Sequence, residues 1–234
     1  LANDLCGILS FQPRFRVALH WILSRLMESG CLEMRDDGVT RSYRLRKTAW
    51  KPDLKHLRKI GLNIDPANAA TLDLLDYAAS AYPTLATGRQ SGDHSLFGPQ
   101  GVSLWLNYFH NDNLTYAVNN WVGAAAAADR VYSKPTLRIL EIGAGTGSAT
   151  EILLTLLNER GLLPQLERYV ITEPNAYFRR FNQRKLRAQY PNLPLEWSTI
   201  DIDLPRSAQG IGSAEFDLVY AVNVMHFSKN LMFS

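Results

Sequence analysis

The stretch LRILEIGAGTG, Leu137–Gly147, decides the fold of this chain. Its apolar first half predicts a buried strand, and SATEILLTLL directly after it predicts a helix. Between them Gly143, Gly145 and Gly147 form a glycine-rich turn, which Glu141 precedes. A strand, a glycine-rich turn and a helix are the opening unit of a nucleotide-binding α/β sheet. Because glycine has no Cβ, such a turn lets a ligand approach the backbone closely.

Two more acids follow the next predicted strands. Glu173 comes directly after Arg168–Thr172 (RYVIT), and Asp201 follows LEWSTI at residues 195–200. Ligands of open parallel sheets bind at the carboxyl ends of the strands, so we predict that both acids line a ligand site. Glu173 is placed to accept hydrogen bonds from ribose hydroxyls, and Asp201 to hold an adenine amino group. Glu173 has a second possible role as the cap of a helix that starts at Pro174.

Length, composition and charge exclude several classes of protein. The 234 residues, 46% of them hydrophobic, suffice for one core or for a core with a smaller appended domain. A net charge of +3 is too small for a dedicated nucleic-acid binder, and no apolar run reaches the ~18 residues of a membrane span. Cys6 and Cys31 lack metal-like spacing. They indicate reduced thiols in a cytoplasmic protein.

We predict an α/β fold with a doubly wound, mostly parallel Rossmann-like sheet and two domains. Residues 1–130 form a mainly helical, winged-helix-like lid domain, and residues 131–234 form the core. The sheet candidates in the core are 137–142, 168–173, 195–200 and 216–222. A sheet of this kind normally has more strands, so we expect further sequence after Ser234.

The helical spacing in the first domain predicts helices over residues 14–27 and 69–81, and turn signals between short strands predict a hairpin over 31–45. Proline breaks are expected at Pro52, Pro66 and Pro83, and a loop over 87–98. An aromatic-rich helix over 104–128 is expected to cover the glycine turn as a lid, or only to pack in the core. Four basic residues lie in or near the hairpin: Arg41, Arg44, Arg46 and Lys47. Because no basic recognition helix precedes them, an accessory domain is favoured over a DNA-binding one.

The segment after the fourth predicted strand contains Asn223 and His226. It should lie at the same edge of the sheet as the glycine turn. A neutral imidazole, with an ordinary pKa of about 6.5, can take a proton from oxygen or from an acidified carbon. The alternative is a histidine that only packs or binds water.

Three segments resemble the carbon-methyltransferase domains of polyketide synthases, which are class I S-adenosylmethionine-dependent methyltransferases. HSLFGPQGVSLWLNYF at residues 94–109 is similar to the family's LFPGGS segment. LRILEIGAGTGSAT at 137–150 is similar to its ILEIGAGTGGTT turn, and NVMHFSKNL at 223–231 to its NVLHATKNL motif. The likeness covers residues 11–232 and is looser in the helical part.

The resemblance implies transfer of a methyl group from S-adenosyl-L-methionine, leaving S-adenosyl-L-homocysteine, to the α-carbon of a β-ketoacyl thioester. That acyl chain is carried on the phosphopantetheine of an acyl carrier protein, and neighbouring synthase domains are further partners. His226 matches the family's catalytic base, which a glutamate after a fifth strand orients. We assign cofactor binding to the turn and to residues after the strands: Glu141, Gly143, Gly145, Gly147, Glu173, Asp201 and Asn223.

Departures from the family pattern keep further functions open. The chain has FGPQGVS for FPGGS, GSAT for GGTT, and Phe-Ser after His226 for Ala-Thr. A divergent, metal-dependent branch of synthase loading modules methylates malonyl-type starters, and there His110, Asp112 or His226 could contact a metal. We assign no metal site. The sequence is also compatible with a small-molecule O-methyltransferase and with a non-enzymatic scaffold.

The predicted helix after Glu173 is rich in basic residues. They could receive an acidic carrier protein or simply form a solvated face: Arg179, Arg180, Arg184, Lys185 and Arg187.

Overall fold

The computed structural model describes residues 2–36, 38, 41–46, 52–210 and 215–229. The chain forms two compact units that divide between Trp105 and Leu106. Within the described ranges every helix is too short or too polar to span a bilayer.

The first unit is mainly helical and contains one hairpin. Its elements are α1 (Ala2–Ile8), α2 (Arg16–Glu28), β1 (Leu32–Asp36), β2 (Arg41–Leu45), α3 (Leu54–Ile64), α4 (Asn68–Ala86) and α5 (Gly92–Phe97). β1 and β2 pair antiparallel from Leu32–Leu45 to Asp36–Arg41. Cys6, Leu19 and Leu23 form a small core under this hairpin, so the predicted combination of a helix and a hairpin is present.

The basic residues of the hairpin are only partly within the described chain. Arg46 lies 3.8 Å from Glu33 on the facing strand, and Arg44 is exposed. Lys47 and the side chain of Arg41 lie outside the described residues.

Three details of the predicted helices are wrong. Pro83 lies inside α4 and does not break it. A proline removes one backbone hydrogen bond, and α4 ends one turn later at Ala86, where the Thr87 hydroxyl donates to the Pro83 carbonyl. The expected loop over 87–98 contains α5, which the side chain of Ser91 caps. The single helix expected over 104–128 is two helices that a loop at 109–113 separates.

α6 (Pro99–Tyr108) runs across the division between the units, and the second unit contains the sheet. Its other elements are α7 (Leu114–Val131), β3 (Leu137–Glu141), α8 (Ser148–Glu159), β4 (Leu166–Thr172), α9 (Ala176–Gln189), β5 (Leu195–Ser198) and β6 (Leu218–Tyr220). The strand order is β5-β4-β3-β6, and all three pairings are parallel. The predicted α/β class and the four strands are therefore confirmed.

α7 packs against α8 and belongs to the second unit. Its alanines make the close approach possible, because Ala124 and Ala128 are fully buried and present only a methyl group to the core. The structural division therefore comes earlier in the chain than the domain boundary we predict after residue 130. The assignment of α7 to a moving lid stays a prediction.

The main core lies between the sheet and the helices on it. Ile139 of β3, Tyr169 and Ile171 of β4, and Leu153 and Leu157 of α8 are all fully buried. Burial of aliphatic side chains of this size stabilises the fold by about 1.5–3 kcal/mol each. β3 lies between β4 and β6, so the glycine turn that follows it leaves the sheet from an interior strand.

One carboxyl group is buried in this core. Glu141, the last residue of β3, is 1% exposed. Its Oε2 accepts hydrogen bonds from the hydroxyls of Thr150 on α8 (2.8 Å) and Tyr169 on β4 (2.7 Å). Burial raises the pKa of Glu141 to about 7, although both hydroxyls act to lower it. The folded protein therefore holds a proton that an unfolded glutamate releases well below neutral pH.

This linkage predicts a pH-dependent stability that Glu141→Gln removes. Because the pKa of Glu141 is raised on folding, its contribution is complete below the ordinary pKa near 4.5 and is lost as pH rises through about 7. We expect the free energy of unfolding of the wild type, relative to Glu141→Gln, to fall by about 3 kcal/mol over this range. Urea unfolding at pH 5, 6, 7 and 8 measures the difference.

The amide of Glu141→Gln does not titrate, so its effect on the free energy of unfolding is the same at every pH. A constant difference between the two proteins from pH 5 to pH 8 would contradict the shifted pKa.

Candidate functional site

The three glycines of the turn after β3 differ in their surroundings. Gly143, Gly145 and Gly147 all have positive φ (66°, 55° and 80°), which disfavours any residue with a side chain. A Cβ at Gly143 would lie 2.3 Å from Cγ2 of Val224, and one at Gly147 would lie 3.0 Å from Cβ of Asn182. A Cβ at Gly145 would meet nothing within 4 Å. The outer glycines therefore pack against protein, and only the middle one faces open space.

The peptide groups of Gly145 are held on both sides. Its N–H donates to Oε2 of Glu173 at 2.9 Å, and its carbonyl accepts from Nδ2 of Asn182 at 2.8 Å. Glu173 follows β4, whereas Asn182 is fully buried on α9. Two neighbouring segments thus fix the orientation of the residue that faces open space.

Glu173 lies beside the turn, at the carboxyl end of β4 where we predict a ligand residue. It is 7% exposed, and Oε1 accepts from the N–H of Asn175 at 2.8 Å. Burial raises its pKa, and the hydrogen bonds from Asn175 and Gly145 oppose that rise. The alternative role as a helix cap is wrong, because α9 starts at Ala176 and the side chain of Asn175 caps it.

Glu141 lies deeper than the turn itself. Thr150 and Tyr169 contact one of its carboxylate oxygens inside the core. Burial raises the pKa of Tyr220 on β6, and the charge of Glu141 adds to that rise. These contacts tie the end of β3 to α8 and β4. Cofactor binding by Glu141 stays a prediction.

A layer of aromatic rings lies next to the turn. The hydroxyl of Thr146 donates to the carbonyl of Phe109 at 2.8 Å. The ring of Phe109 contacts Tyr116 at 5.1 Å and Phe178 at 6.3 Å between centroids. In the same loop, Nδ2 of Asn111 donates to the carbonyl of Ser148, the first residue of α8. The loop between α6 and α7 is therefore attached to the turn and to the helix that follows it.

The segment after β6 also meets the glycine turn. Val224 is the side chain that a Cβ at Gly143 would strike, and Asn223 has a left-handed backbone with φ of 55°. His226 lies two residues after Val224 in a 3₁₀ turn, Met225–Phe227, with its exposed ring 4.3 Å from that of Phe227. Two residues span at most about 7 Å of chain. The backbone of His226 thus lies at the same edge of the sheet as the turn.

A cavity of about 330 Å³ opens between α7 and the segment after β6. Its walls are mostly apolar, with two amide side chains among them. It is lined by Val118, Asn119, Val122, Gly123, Ala221, Val222 and Asn223. The cavity therefore borders the chain that leads from β6 to His226.

Asp201 is the least integrated of the predicted residues. It is exposed, and β5 ends three residues before it at Ser198. Its Oδ1 accepts from the N–H of Asp203 at 2.9 Å, which shapes a local turn. Its role toward an adenine ring stays a prediction.

The alternative metal site has only a pair of candidate ligands. Nδ1 of His110 accepts from the N–H of Asp112, the next residue but one. In the part of the chain that the structure describes, no three His, Cys, Asp or Glu side chains come together as metal ligands.

The basic helix α9 uses three of its five cations internally. Arg179 donates to the carbonyl of Glu173, Lys185 pairs with Glu151 at 2.6 Å, and the guanidinium of Arg187 lies 5.1 Å over the ring of Trp197. This leaves less of the helix for an acidic partner than the sequence pattern indicates.

Asn182, which holds the Gly145 carbonyl, is a functional residue absent from the sequence-based predictions. A signal was available, because the buried face of α9 consists of Phe178, Asn182 and Leu186 at helical spacing. A polar residue in the middle of such a stripe needs a buried partner.

Comparisons with known proteins agree with this architecture. A family model described as a methyltransferase domain matches residues 140–232. The highly reducing polyketide synthase ALT1 of Alternaria alternata is 29% identical over 216 residues, 91% of this chain and 8% of that protein. The chain therefore spans a small part of the length of its curated relatives.

Solved structures match over nearly the whole chain. The crystal structure of the CurJ carbon methyltransferase superposes with a TM-score of 0.77 and 26% identity, covering 99% of this chain and 59% of that one. The methyltransferase domain of the citrinin polyketide synthase gives a TM-score of 0.75 at 22% identity, covering 95% of this chain and 57% of that one, and shows the shared fold. These findings confirm the resemblance in the sequence: the chain has the class I methyltransferase fold, residues 140–232 match a methyltransferase domain, and the chain is similar to the carbon-methyltransferase domains of polyketide synthases.

Proposed function

We propose that this domain methylates the α-carbon of a β-ketoacyl thioester on an acyl carrier protein, with S-adenosyl-L-methionine as donor and His226 as base. The observation that carries the proposal is the open left-handed position of Gly145 at the edge of the sheet that His226 also occupies. A donor bound at Gly145 and the base would then lie at the same edge of the sheet.

The donor fits the turn through its shape. The space in front of Gly145 is open, and the residue has no side chain to fill it. Glu173 lies beside it and has a carboxylate suited to accept hydrogen bonds from ribose hydroxyls. We further assign Asn223, Asp201, Glu141, Gly143 and Gly147 to cofactor binding. The two outer glycines act indirectly, through the protein side chains that pack against them. When bound, the cofactor supplies a methyl group on a sulfonium, whose positive charge disappears on transfer.

The imidazole of His226 is suited to the proton transfer. A carbon between a ketone and a thioester is acidic enough for a neutral imidazole to deprotonate. The resulting enolate carbon forms a bond to the methyl group while the carbon–sulfur bond breaks and sulfur keeps the electron pair. The imidazolium then returns its proton to water. Positioning and one base are enough for this reaction.

The acyl chain has a candidate position beside the segment that leads from β6 to His226. The cavity between α7 and the segment after β6 presents Val118, Val122 and Val222 to an aliphatic chain. Asn119 on its wall can hydrogen-bond an amide of a phosphopantetheine arm. We propose the neighbouring synthase domains as the source of the carrier. Cys6 and Cys31 as thiols support a cytoplasmic location.

The substrate class can be tested by mass spectrometry of acyl carrier proteins. We expect the full protein to add a single methyl mass to a β-ketoacyl carrier protein in the presence of S-adenosyl-L-methionine. A malonyl carrier protein and a phenol serve as comparison substrates, with and without a chelator. Methylation of the phenol alone would favour an O-methyltransferase, and chelator-sensitive methylation of the malonyl carrier would favour the metal-dependent branch. Either result contradicts the proposal.

Gly145→Val should abolish cofactor binding without unfolding the protein. The new side chain enters the space in front of the turn, and the left-handed backbone adds a cost of about 1–2 kcal/mol. Gly161→Val is the matched control, because Gly161 also has a positive φ (69°) and open space but lies at the end of α8. In a thermal-shift assay, S-adenosylhomocysteine should raise the melting temperature of Gly161→Val and leave that of Gly145→Val unchanged. Equal stabilisation of both variants would place the ligand elsewhere.

His226→Ala should lower the rate of methyl transfer by about 10²–10⁴-fold, the usual contribution of a general base. Its affinity for S-adenosylhomocysteine should stay within about twofold of the wild type, because the imidazole acts on the acceptor. His110→Ala serves as the control histidine near the turn. Full activity of His226→Ala would remove it as the base, and loss of activity in His110→Ala with a chelator effect would point to a metal.

A further inference from the structure

The Asn182 side chain, on α9, links the glycine turn to β5. Its Nδ2 donates to the Gly145 carbonyl at 2.8 Å, and its Oδ1 accepts from Nε1 of Trp197 on β5 at 2.7 Å. The side chain is fully buried, and its Cβ lies 3.0 Å from where a Cβ of Gly147 would be. Each end of the amide therefore has one partner, and the flip state of the amide is fixed by a donor on one side and an acceptor on the other.

We propose that Asn182 is a positioning residue for the cofactor, acting by holding the Gly145 carbonyl away from the open face of the turn. This inference rests on the proposed function and names a residue that has no direct contact with the reacting atoms. Gly145 is the one glycine of the turn with open space in front of it. Glu173 fixes its N–H and Asn182 fixes its carbonyl, so both peptide planes are determined.

The need for such a residue follows from the backbone of the turn. A glycine can rotate more freely than other residues, and three glycines within five residues give the turn many accessible conformations. Without Asn182 the Gly145 carbonyl would lose its buried partner and turn toward another donor. Only part of the protein would then have the turn in the conformation that binds the ligand. The apparent affinity falls in proportion to that fraction.

Two substitutions separate the two hydrogen bonds of Asn182. Asn182→Asp keeps an acceptor for Trp197, but once its carboxyl is ionised at pH 8 it cannot donate to the Gly145 carbonyl and repels it. Trp197→Phe removes the indole donor and leaves the bond to Gly145 intact. We expect Asn182→Asp to weaken S-adenosylhomocysteine binding by about tenfold at pH 8 and Trp197→Phe by less than about threefold.

The pH dependence supplies a readout that packing damage would not give. At low pH the new carboxyl of Asn182→Asp is protonated and its O–H can donate to the Gly145 carbonyl, so affinity should recover toward that of the wild type between pH 8 and pH 5. The buried carboxyls of Glu173 and Glu141 near the turn also have raised pKa values, so calorimetry compares the affinity of each variant with that of the wild type at the same pH. Affinity of Asn182→Asp equal to the wild type at pH 8, or an equal loss in Trp197→Phe, would overturn the proposal.

Amide hydrogen exchange in the absence of ligand keeps the inference separate from the proposed function. Exchange of the Gly145 N–H, which is bonded to Glu173, should be faster at pH 8 in Asn182→Asp and unchanged in Trp197→Phe. If the wild type fails to bind S-adenosylhomocysteine, the proposed function fails, and the exchange rates still decide whether Asn182 holds the turn. Unchanged exchange in Asn182→Asp would contradict the positioning role.

Discussion

The conformation of the glycine turn depends on the two hydrogen bonds that fix Gly145. A glycine-rich turn is open to a ligand only because its residues lack side chains, and the same lack leaves its backbone free to move. Glu173 and Asn182 remove that freedom from opposite sides. Val224 and Asn182 close against the outer glycines. The turn is thus rigid where it meets protein and open at one residue.

The parallel direction of the strands explains why the candidate functional residues meet at one edge of the sheet. The four strands are parallel, so the residues after β3, β4 and β6 emerge on the same side. Glu173 and His226 therefore come from segments far apart in sequence and share one edge with Gly145. The Phe109 loop, attached to Thr146, places apolar rings beside the turn. An apolar, dry surrounding favours methyl transfer, because the transfer neutralises a sulfonium.

The sequence predicted most of the sheet because its signals are local. Apolar runs followed by Gly143, Glu173 and Asp201 were enough to place the strands and their order in the chain. The expected break at Pro83 was wrong because a proline fits within a helix about to end. The sequence pattern also did not indicate that α7 packs on α8, where its alanines are small enough for a close approach. Partners of buried polar groups, such as Tyr169 for Glu141, were invisible because hydrogen bonds between distant elements leave no spacing in the sequence.

The most direct test of the account is a crystal structure of the protein with S-adenosylhomocysteine. We predict its thioether against the open face of Gly145, its ribose hydroxyls on Glu173, and the imidazole of His226 on the same side of the sheet. A cofactor bound away from the turn would contradict this account. So would an imidazole of His226 that is separated from the acceptor cavity by the bound ligand.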